Sequence, residues 1–351
     1  MNNALNIKQC ISDYAKIDLG ISSIGFTEPV IPDADLQNYL SYLAQDNYGE
    51  MQWMETRKEL RSNPKLLFPE AKTAILVGVN YYHQSLSTND CKISSTNTSD
   101  YKISLYAHQR EDYHRWVYKR VKLLAKFMAE KFTAQSRYFV DSAPILEKVL
   151  AKQTKIGWQG KHTCIVSQEF GSWLFLGVIL TELELPKDAP HRNLCGTCNK
   201  CIVACPTGAL TPYKLEVKKC ISYLTIEHKS AIEELLQVPI DNKIFGCDDC
   251  LSVCPFNKWQ KNSLIPETQN NPLYPGNLKE FLQLQETKFL EIFKFTPLKR
   301  TGYLVILRNI LIAAKNSQNK ELIPYILPYI QYNDVNIKEL AHKAINSLAL
   351  Y

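Results

Sequence analysis

The sequence predicts a three-part fold: an α/β layered domain over residues 1–187, a small cysteine-rich domain over 188–262 and an all-α region over 263–351. Three observations support this division. Strand-like apolar runs alternate with helical periodicity in the first part, eight of the eleven cysteines lie in the second, and helical spacing continues without strands in the third. With 45% apolar residues, 22% charged residues and a net charge of +6, the 351-residue chain has an ordinary globular composition.

The elements of the α/β part follow from local patterns. Residues 72–80 (KTAILVGVN) form an apolar run between turn-forming residues, which predicts a buried strand. Apolar residues at helical spacing predict an amphipathic helix over 110–132. Further strands are predicted at 138–140, ending at Asp141, at 164–167 and from Trp173 onward.

The remaining segments are assigned by composition and periodicity. Residues 1–70 are predicted to be helical with polar loops, and residues 84–100 to be a Ser/Thr/Asn-rich surface loop. From about residue 276 the pattern is helical, and residues 320–350 resemble one HEAT-type helix pair.

The cysteines carry the most specific chemical signal. Residues 195–206 (CGTCNKCIVACP) have the spacing Cys-x-x-Cys-x-x-Cys-x-x-x-Cys-Pro. This is the ligand pattern of bacterial ferredoxins, in which three thiolates of a run hold one 4Fe–4S cube and the fourth holds the other. Short turns wrap three corners of one cube, and the helix that follows points the next cysteine elsewhere.

The second run, CDDCLSVCP at 247–255, has only three cysteines, so one ligand must come from another place. Cys220, between the runs, is the obvious candidate. We therefore assign Cys195, Cys198, Cys201 and Cys254 to one cube, and Cys205, Cys220, Cys247 and Cys250 to the other. Structural zinc is the alternative, but the triple run followed by Cys-Pro is not the paired-knuckle pattern of zinc sites.

The other three cysteines are predicted to have no role. They are Cys10, Cys91 and Cys164. Because Cys164 falls on a predicted strand, we expect it to be a small buried apolar residue.

Several function classes lack sequence support. The chain contains no phosphate loop, no Gly-x-Gly-x-x-Gly and no His-Glu-x-x-His. Its longest apolar stretch, 173–180, is shorter than the roughly 20 residues of a membrane span. The first residues also lack the layout of a signal peptide. We therefore expect a cytoplasmic protein without a membrane partner.

Stretches around the cysteine runs resemble one known family. They are VDSAPILEK (140–148), GWQGKHT (157–163), EFGSWLFLG (169–177), CISYLTIEHK (220–229) and FGCDDCLSVCPFNK (245–258). Together they are similar to epoxyqueuosine reductase, over roughly residues 15–315. The C-terminal helical tail is short for that family.

The resemblance implies an oxidoreductase with cobalamin and two 4Fe–4S clusters, related to reductive dehalogenases. The implied reaction belongs to queuosine biosynthesis and removes the epoxide oxygen of epoxyqueuosine at the wobble position of tRNA. It is a two-electron, two-proton reduction that leaves an alkene and releases water. A low-potential donor of the flavodoxin or ferredoxin type would supply the electrons.

Asp141 matches the proton donor of the family. It follows a predicted strand, and an apolar pocket covered by a corrinoid would raise its pKa and keep it protonated. An aspartate that only caps the following turn is the alternative for Asp141.

The resemblance also implies cobalamin-binding residues, namely Arg57, Asp141, Ile165, Leu176, Ser222, Asp248 and Asp249. A solvated helix position is the alternative for Arg57, and core packing is the alternative for Ile165 and Leu176. Asp112, His114 and Val117 nearly match the Asp-x-His-x-x-Gly motif that places an imidazole below cobalt. Because valine replaces the glycine, we do not expect His114 to be an axial ligand.

For tRNA, a net charge of +6 is mild, so local basic clusters matter more. The predicted phosphate contacts are Lys229, Lys299 and Arg300, within clusters that also contain Lys218, Lys219, His228 and Arg308. A solvated helix face is the alternative for each. Lys161 and His162 lie in a predicted turn, where they would meet substrate, cofactor or solvent.

Two other functions remain open on the cysteine runs alone. One is a corrinoid reductive dehalogenase of small organohalides, which the missing twin-arginine signal and the basic helical tail disfavour. The other is a two-cluster electron-transfer protein without catalysis. The residues around Asp141 and Gly157 favour the reductase.

Overall fold

The computed structural model describes residues 2–83, 100–109, 111–266 and 274–350. Its strands are β1 (Ser23–Thr27), β2 (Thr73–Asn80), β3 (Lys102–Ile103), β4 (Ser136–Phe139), β5 (Trp158–Gln159), β6 (Ile165–Val166), β7 (Leu174–Thr181), β8 (Leu210–Thr211), β9 (Lys214–Leu215) and β10 (Lys243–Phe245). The first part is built on an antiparallel sheet of four strands in the order β1-β2-β7-β4. Three two-stranded pairings, β3 with β10, β5 with β6 and β8 with β9, shape the loops around it.

The α-helices of the first two parts are α1 (Asn2–Asp13), α2 (Asp33–Ala44), α3 (Lys58–Ser62), α4 (Tyr113–Phe132), α5 (Glu147–Ala151), α6 (Lys200–Val203), α7 (Ile221–Ile226), α8 (Glu234–Ile240) and α9 (Asp249–Ser252). Those of the third part are α10 (Leu278–Leu282), α11 (Glu286–Ile292), α12 (Pro297–Thr301), α13 (Tyr303–Asn316), α14 (Ile323–Ile326) and α15 (Val335–Ala349). Among the described residues, no helix combines the length and apolar character that crossing a membrane requires.

The sheet is covered on both faces, which explains the continuous apolar run of β2. Ile75, Val77 and Val79 belong to the core formed with α4, whereas Ala74 and Leu76 belong to the core formed with α5. Successive side chains of a strand point to opposite faces, so a strand covered on both sides must be apolar throughout. The predictions of a strand at 72–80 and of the amphipathic helix that became α4 are confirmed.

The prediction that residues 1–70 are helical is wrong in one place. Residues 23–27 form β1, which pairs with β2 through backbone hydrogen bonds. Five residues are too few to show a strand period in sequence, and the long-range pairing decides their conformation. The predicted loop at 84–100, except Asp100, lies outside the described residues, as does Cys91.

One apolar core joins the cysteine-rich segment to the C-terminal helices. Ile221, Leu224 and Phe245 pack in the same cluster as Ile306 and Ile310 of α13. The described helices from residue 278 onward agree with the predicted all-α pattern. In the predicted helix pair, the second arm is α15, whereas the first arm passes through short helical turns that contain Pro324 and Pro328.

Arg308 does not lie on an exposed basic face, contrary to prediction. It is 4% exposed. Its guanidinium donates hydrogen bonds of 2.5–2.8 Å to the carbonyl oxygens of Leu224, His228 and Ser230. Arg308 therefore ties α13 to the loop after α7 and cannot neutralise a phosphate.

Candidate functional site

Asp141 lies at the end of β4, where the chain turns before α5. Its φ is +54°, a left-handed conformation that aspartate tolerates better than most residues. The side chain is 57% exposed, so its carboxylate faces open space at the end of the strand.

The Asp141 carboxylate receives two hydrogen bonds from the start of α4. The Tyr113 hydroxyl donates to Oδ2 at 2.6 Å, and His114 Nε2 lies 2.8 Å from the same oxygen. On its other side, His114 Nδ1 lies 2.8 Å from Asp112 Oδ1, and Arg300 donates to Asp112 Oδ2 at 3.0 Å. Asp112, His114 and Asp141 thus form one hydrogen-bonded chain, which α12 braces through Arg300.

The neighbours of Asp141 lower its pKa. Although the side chain is 57% exposed, the surrounding protein atoms desolvate the carboxylate in part and oppose its charge. The hydrogen bonds from His114 and Tyr113 and the charges of His114 and Arg300 outweigh this effect and lower the pKa of Asp141 to about 2. Burial likewise opposes the charged form of His114, and so does the charge of Arg300, whose Nη1 atom lies 2.6 Å from His114 Nδ1. The bonds of His114 to Asp112 and Asp141 outweigh both effects and raise the pKa of His114. The raised pKa expected for Asp141 in a corrinoid-covered pocket stays a prediction.

A second carboxyl, Glu147, lies behind the Asp141 turn. Its Oε1 is buried without a hydrogen-bond partner among the described residues. Burial and the nearby charge of Asp141 raise the pKa of Glu147 to about 8, so it is mostly protonated at neutral pH. Sequence reasoning missed Glu147, since only tertiary burial distinguishes it within VDSAPILEK.

Cys164 is not the inert apolar residue that was predicted. It is half-buried, and the Lys148 Nζ atom lies 3.7 Å from its sulfur. Burial opposes ionisation, but the Lys148 ammonium and His162 outweigh it and lower the pKa of Cys164 to about 6. Burial raises the pKa of Cys220 and of Cys250, and charge on the Cys164 sulfur adds to both shifts.

The run cysteines influence one another in two neighbourhoods. After burial, the charges of Cys195 and Cys198 raise the pKa of Cys201. In the second neighbourhood, burial raises the pKa of Cys220 and of Cys250. The charge of Cys205 adds to the shift of Cys220, and the charges of Cys247 and Cys220 add to the shift of Cys250. The Cys254 thiol is hydrogen-bonded to His162, which with burial opposing leaves its pKa lowered.

The first cysteine loop rests on residues of the GWQGKHT stretch. Trp158 Nε1 donates to the Cys195 sulfur at 3.4 Å. Lys161 Nζ donates to the carbonyl oxygens of Gly196 at 2.7 Å and Cys198 at 2.8 Å. His162 is buried and contacts the Ser172 hydroxyl at 3.3 Å. Lys161 and His162 therefore support the cysteine loops. From the sequence, contacts of these two residues with substrate, cofactor or solvent were equally open.

The EFGSW stretch meets the second cysteine loop. Asn257 Oδ1 accepts from the Ser172 amide at 3.0 Å, and Asn257 Nδ2 donates to the Leu251 carbonyl at 2.7 Å. Gly171 is required here, because its φ is +62° and a Cβ would lie 2.3 Å from Asn257 Oδ1.

Chemistry argues that these cysteines suit iron–sulfur cubes. Eight thiols on three segments, 195–205, 220 and 247–254, match two four-thiolate clusters in number, and the indole donor on Cys195 is the kind of hydrogen bond that tunes cluster sulfur. Across the described ranges, no three His, Cys, Asp or Glu side chains converge closely enough to hold a single metal ion.

The residues matched to cobalamin binding come from separate elements. Arg57 is exposed at φ +62° before α3, Ile165 is 4% exposed on β6, and Leu176 is half-buried on β7. Ser222 is half-buried on α7. Asp248 accepts hydrogen bonds from the Ser104 hydroxyl and from the Leu105 amide, and Asp249 pairs with Lys243 at 3.1 Å.

The residues matched to tRNA differ in their surroundings. Lys299 is exposed on α12. Arg300, on the same helix, forms an ion pair with Asp112, with Nη1 3.0 Å from Oδ2. The Lys229 ammonium donates to the carbonyl oxygens of Ile226 at 2.9 Å and Thr301 at 3.2 Å.

The fold and loops define the class of protein: an iron–sulfur oxidoreductase. Residues 194–257 match the family model of a 4Fe-4S double cluster binding domain. Residues 61–142, which carry the Asp112–His114–Asp141 chain, match the model described as epoxyqueuosine reductase QueG, DUF1730.

Known proteins that are similar over most of the chain are also epoxyqueuosine reductases. The epoxyqueuosine reductase of Xanthomonas campestris is 38% identical, over 84% of this chain and 83% of its own. An epoxyqueuosine reductase solved with an epoxyqueuosine-modified tRNA-Tyr stem loop is 27% identical with a TM-score of 0.86, over 98% of this chain and 91% of its own. The Bacillus subtilis enzyme, with a catalytic aspartate loop swung out of its active site, gives 27% and 0.87 over the same shares.

The chain belongs to the epoxyqueuosine reductase family. The resemblance predicted from its motifs is confirmed.

Proposed function

We propose that this protein reduces epoxyqueuosine to queuosine at the wobble position of tRNA. The observation that carries the proposal is the position of Asp141. The Asp141 carboxylate is exposed, and His114 Nε2 lies 2.8 Å from it. Reduction of an epoxide to an alkene needs a proton source and an electron source at one place. Asp141 with His114 would be the proton source, and clusters on the cysteine loops would be the electron source. The similar structure that holds an epoxyqueuosine-modified stem loop supports the choice of substrate.

The cofactors of the proposed reaction are cobalamin and two 4Fe–4S clusters. Bound cobalamin supplies low-potential cobalt chemistry at the epoxide, while the clusters deliver electrons one at a time. Cys195, Cys198, Cys201 and Cys254 would hold one cluster, and Cys205, Cys220, Cys247 and Cys250 the other.

The cobalamin site would be formed by residues from several separate elements. Its residues would be Arg57, Asp141, Ile165, Leu176, Ser222, Asp248 and Asp249. The unpartnered Oε1 of Glu147 and the half-buried Cys164 and Leu176 fit a ligand that touches both polar and apolar groups. Ser222 and Asp248 lie close in sequence to Cys220 and Cys247, which supports a ligand that would sit beside the clusters.

The protein's own part in the chemistry is to deliver a proton. Asp141, ionised in the described arrangement, cannot donate until it receives a proton, and His114 at 2.8 Å is the neighbour that holds one. Asp141 therefore passes to the epoxide oxygen a proton that comes from His114. Asp112 and Arg300 orient His114 for this transfer.

The three-part organisation and the partners complete the proposal. Residues 1–187 would bind cobalamin and catalyse, residues 188–262 would carry the clusters, and residues 263–351 would form a HEAT-like region that contacts tRNA through Lys299 and Arg300, with Lys229 nearby. The electron donor would be a low-potential flavodoxin or ferredoxin.

The test is anaerobic reconstitution with iron, sulfide and cobalamin, followed by incubation with a reductant and tRNA that contains epoxyqueuosine. Mass spectrometry of the digested nucleosides should show loss of one oxygen. Asp141→Asn should retain iron and cobalamin while turnover falls by about 10²–10⁴-fold. Asp241→Asn is a matched control, because Asp241 is also an exposed aspartate with positive φ, at +56°. Unchanged nucleoside in the parent reaction would reject the proposal, and full turnover in Asp141→Asn would remove Asp141 as the acid.

A further inference from the structure

We propose that an acidic one-electron carrier protein docks over the loop that bears Cys195 and Cys198. This inference rests on the proposed function, because it concerns how electrons enter. The docking surface is defined here as the exposed parts of residues 153–168, 189–215 and 250–265.

The docking surface carries an excess of positive charge. None of its three segments contains Asp or Glu. The acidic residues that directly adjoin the segments are each paired with a lysine: Glu169 with Lys261, Asp188 with Lys8, Glu216 with Lys219 and Asp249 with Lys243. The same segments contain Lys155, Lys161, Arg192, Lys200, Lys214, Lys258 and Lys261. One of these charges, Lys261, is paired with Glu169 of a neighbouring stretch. A surface of one sign attracts a partner of the opposite sign and speeds its approach.

Direct contacts join the three segments around the first cysteine loop. The Trp158 indole bonds to the Cys195 sulfur, and its ring lies 4.8 Å from that of Phe256. Lys161 Nζ holds the Gly196 carbonyl, and the Lys161 carbonyl accepts from the Tyr213 amide at 3.1 Å. The charges therefore surround one loop and are not scattered over the molecule.

Apolar side chains lie exposed among these charges. Val203 is 76% exposed and Trp259 is 51% exposed. Tyr213 and Leu194 are also exposed, and the Lys258 ammonium sits over the Trp259 ring at 3.9 Å. Exposed apolar groups with a charged rim are typical of protein interfaces, whereas isolated surface lysines are not.

The position suits electron entry, because Gly196 and Thr197 of the loop that bears Cys195 and Cys198 are exposed to solvent. In each encounter the reduced carrier loses one electron and the first cluster gains one, with no bond made or broken. Two encounters supply the two electrons that the epoxide reduction consumes.

The experiment measures binding of a purified acidic flavodoxin to the reconstituted enzyme at several salt concentrations. The test variant is Lys214→Glu with Lys258→Glu. Both residues are exposed; Lys214 lies on segment 189–215, which bears the cysteine loop, and Lys258 lies on segment 250–265. The control is Lys119→Glu with Lys122→Glu, which makes the same charge change on the exposed face of α4. We expect the test variant to lose affinity for flavodoxin about tenfold and to show a weaker salt dependence, and the control to match the parent. Trp259→Ala should lose affinity while it retains the parent salt dependence, since it removes an apolar contact.

Turnover separates this inference from the proposed function. With a small chemical reductant, the Lys214→Glu, Lys258→Glu variant should act as fast as the parent, whereas with flavodoxin it should slow. If the parent fails with the chemical reductant, the proposed function fails. If flavodoxin binds parent and variant equally, or if the variant instead loses tRNA affinity, the docking surface is not the carrier site.

Discussion

The cysteine loops and the Asp141 site are assembled in opposite ways. In the proposed assignment, one cube would take three ligands from residues 195–201 and one, Cys254, from a distance, and the other would take two from residues 247–250 with Cys205 and Cys220 from elsewhere. The Asp141 site joins three segments far apart in sequence: 112–114 on α4, Asp141 after β4, and Arg300 on α12. Metal-ligand patterns that depend on local spacing can be predicted from sequence, whereas a hydrogen-bonded chain of side chains from separate elements cannot.

This contrast also separates what each region needs from its neighbours. The cysteine loops require backbone support, which Lys161 and Asn257 provide through carbonyl and amide contacts. The Asp141 site requires charge balance, because Asp112 and Asp141 alternate with His114 and Arg300. Loss of a ligand should therefore remove a cofactor, whereas loss of a charge should shift a pH profile.

The largest expected effect is at a cluster ligand. Cys250→Ser should leave about half of the parent iron and abolish turnover, because one of the two clusters loses a thiolate ligand. Iron analysis and EPR of the reduced protein provide the measurement.

Cys164→Ser is the matched control for Cys250→Ser. Cys164 is half-buried like Cys250 but is assigned to neither cluster. The Cys164→Ser variant should therefore retain the iron content of the parent protein. Equal iron in Cys250→Ser and the parent would contradict the ligand assignment.

A smaller effect is expected at Asp112, which supports the raised pKa of His114. A raised pKa stabilises the protonated form, so the contribution of His114 is complete below its ordinary pKa of 6.5 and is lost as pH rises through the folded value. Asp112→Asn removes one of the two bonds that raise this pKa. The alkaline limb of turnover should then move to lower pH by about one unit, with roughly tenfold less activity on that limb.

The measurement is the pH profile of kcat for Asp112→Asn beside the parent. Asp13→Asn is a suitable comparison, because it changes an exposed aspartate on α1. A uniform fall in kcat at every pH, with an unmoved alkaline limb, would show that Asp112 has only a structural role.

The smallest effect is expected for a single phosphate contact. Lys299→Glu should weaken tRNA binding several-fold and lower the slope of log affinity against log salt by about 1. Lys299→Glu with Arg300→Glu should flatten the salt dependence further, and it should also slow turnover because Arg300 holds Asp112. Binding titrations at several salt concentrations test both, and Lys119→Glu provides the control. A slope unchanged in the double variant would reject both residues as phosphate contacts.

Much of the fold could be predicted because its signals are local. The apolar run of β2, the helical spacing of α4 and the helices after residue 278 all follow from periodicity. β1 could not be predicted in this way, because its hydrogen bonds run to a strand some fifty residues later. Arg308 was misplaced for the same reason: its partners are backbone carbonyls of another segment.

By itself, the sequence determined the family, the two cysteine runs and the aspartate at the end of β4, since each depends on residue types at fixed spacing. Only the tertiary structure decided the charge states at the site. Folding brings His114 and Tyr113 onto Asp141 and lowers its pKa to about 2, and it places Lys148 beside Cys164. The physical reason is that a pKa depends on the distance to charges and hydrogen-bond partners, and those distances exist only after remote segments have packed together.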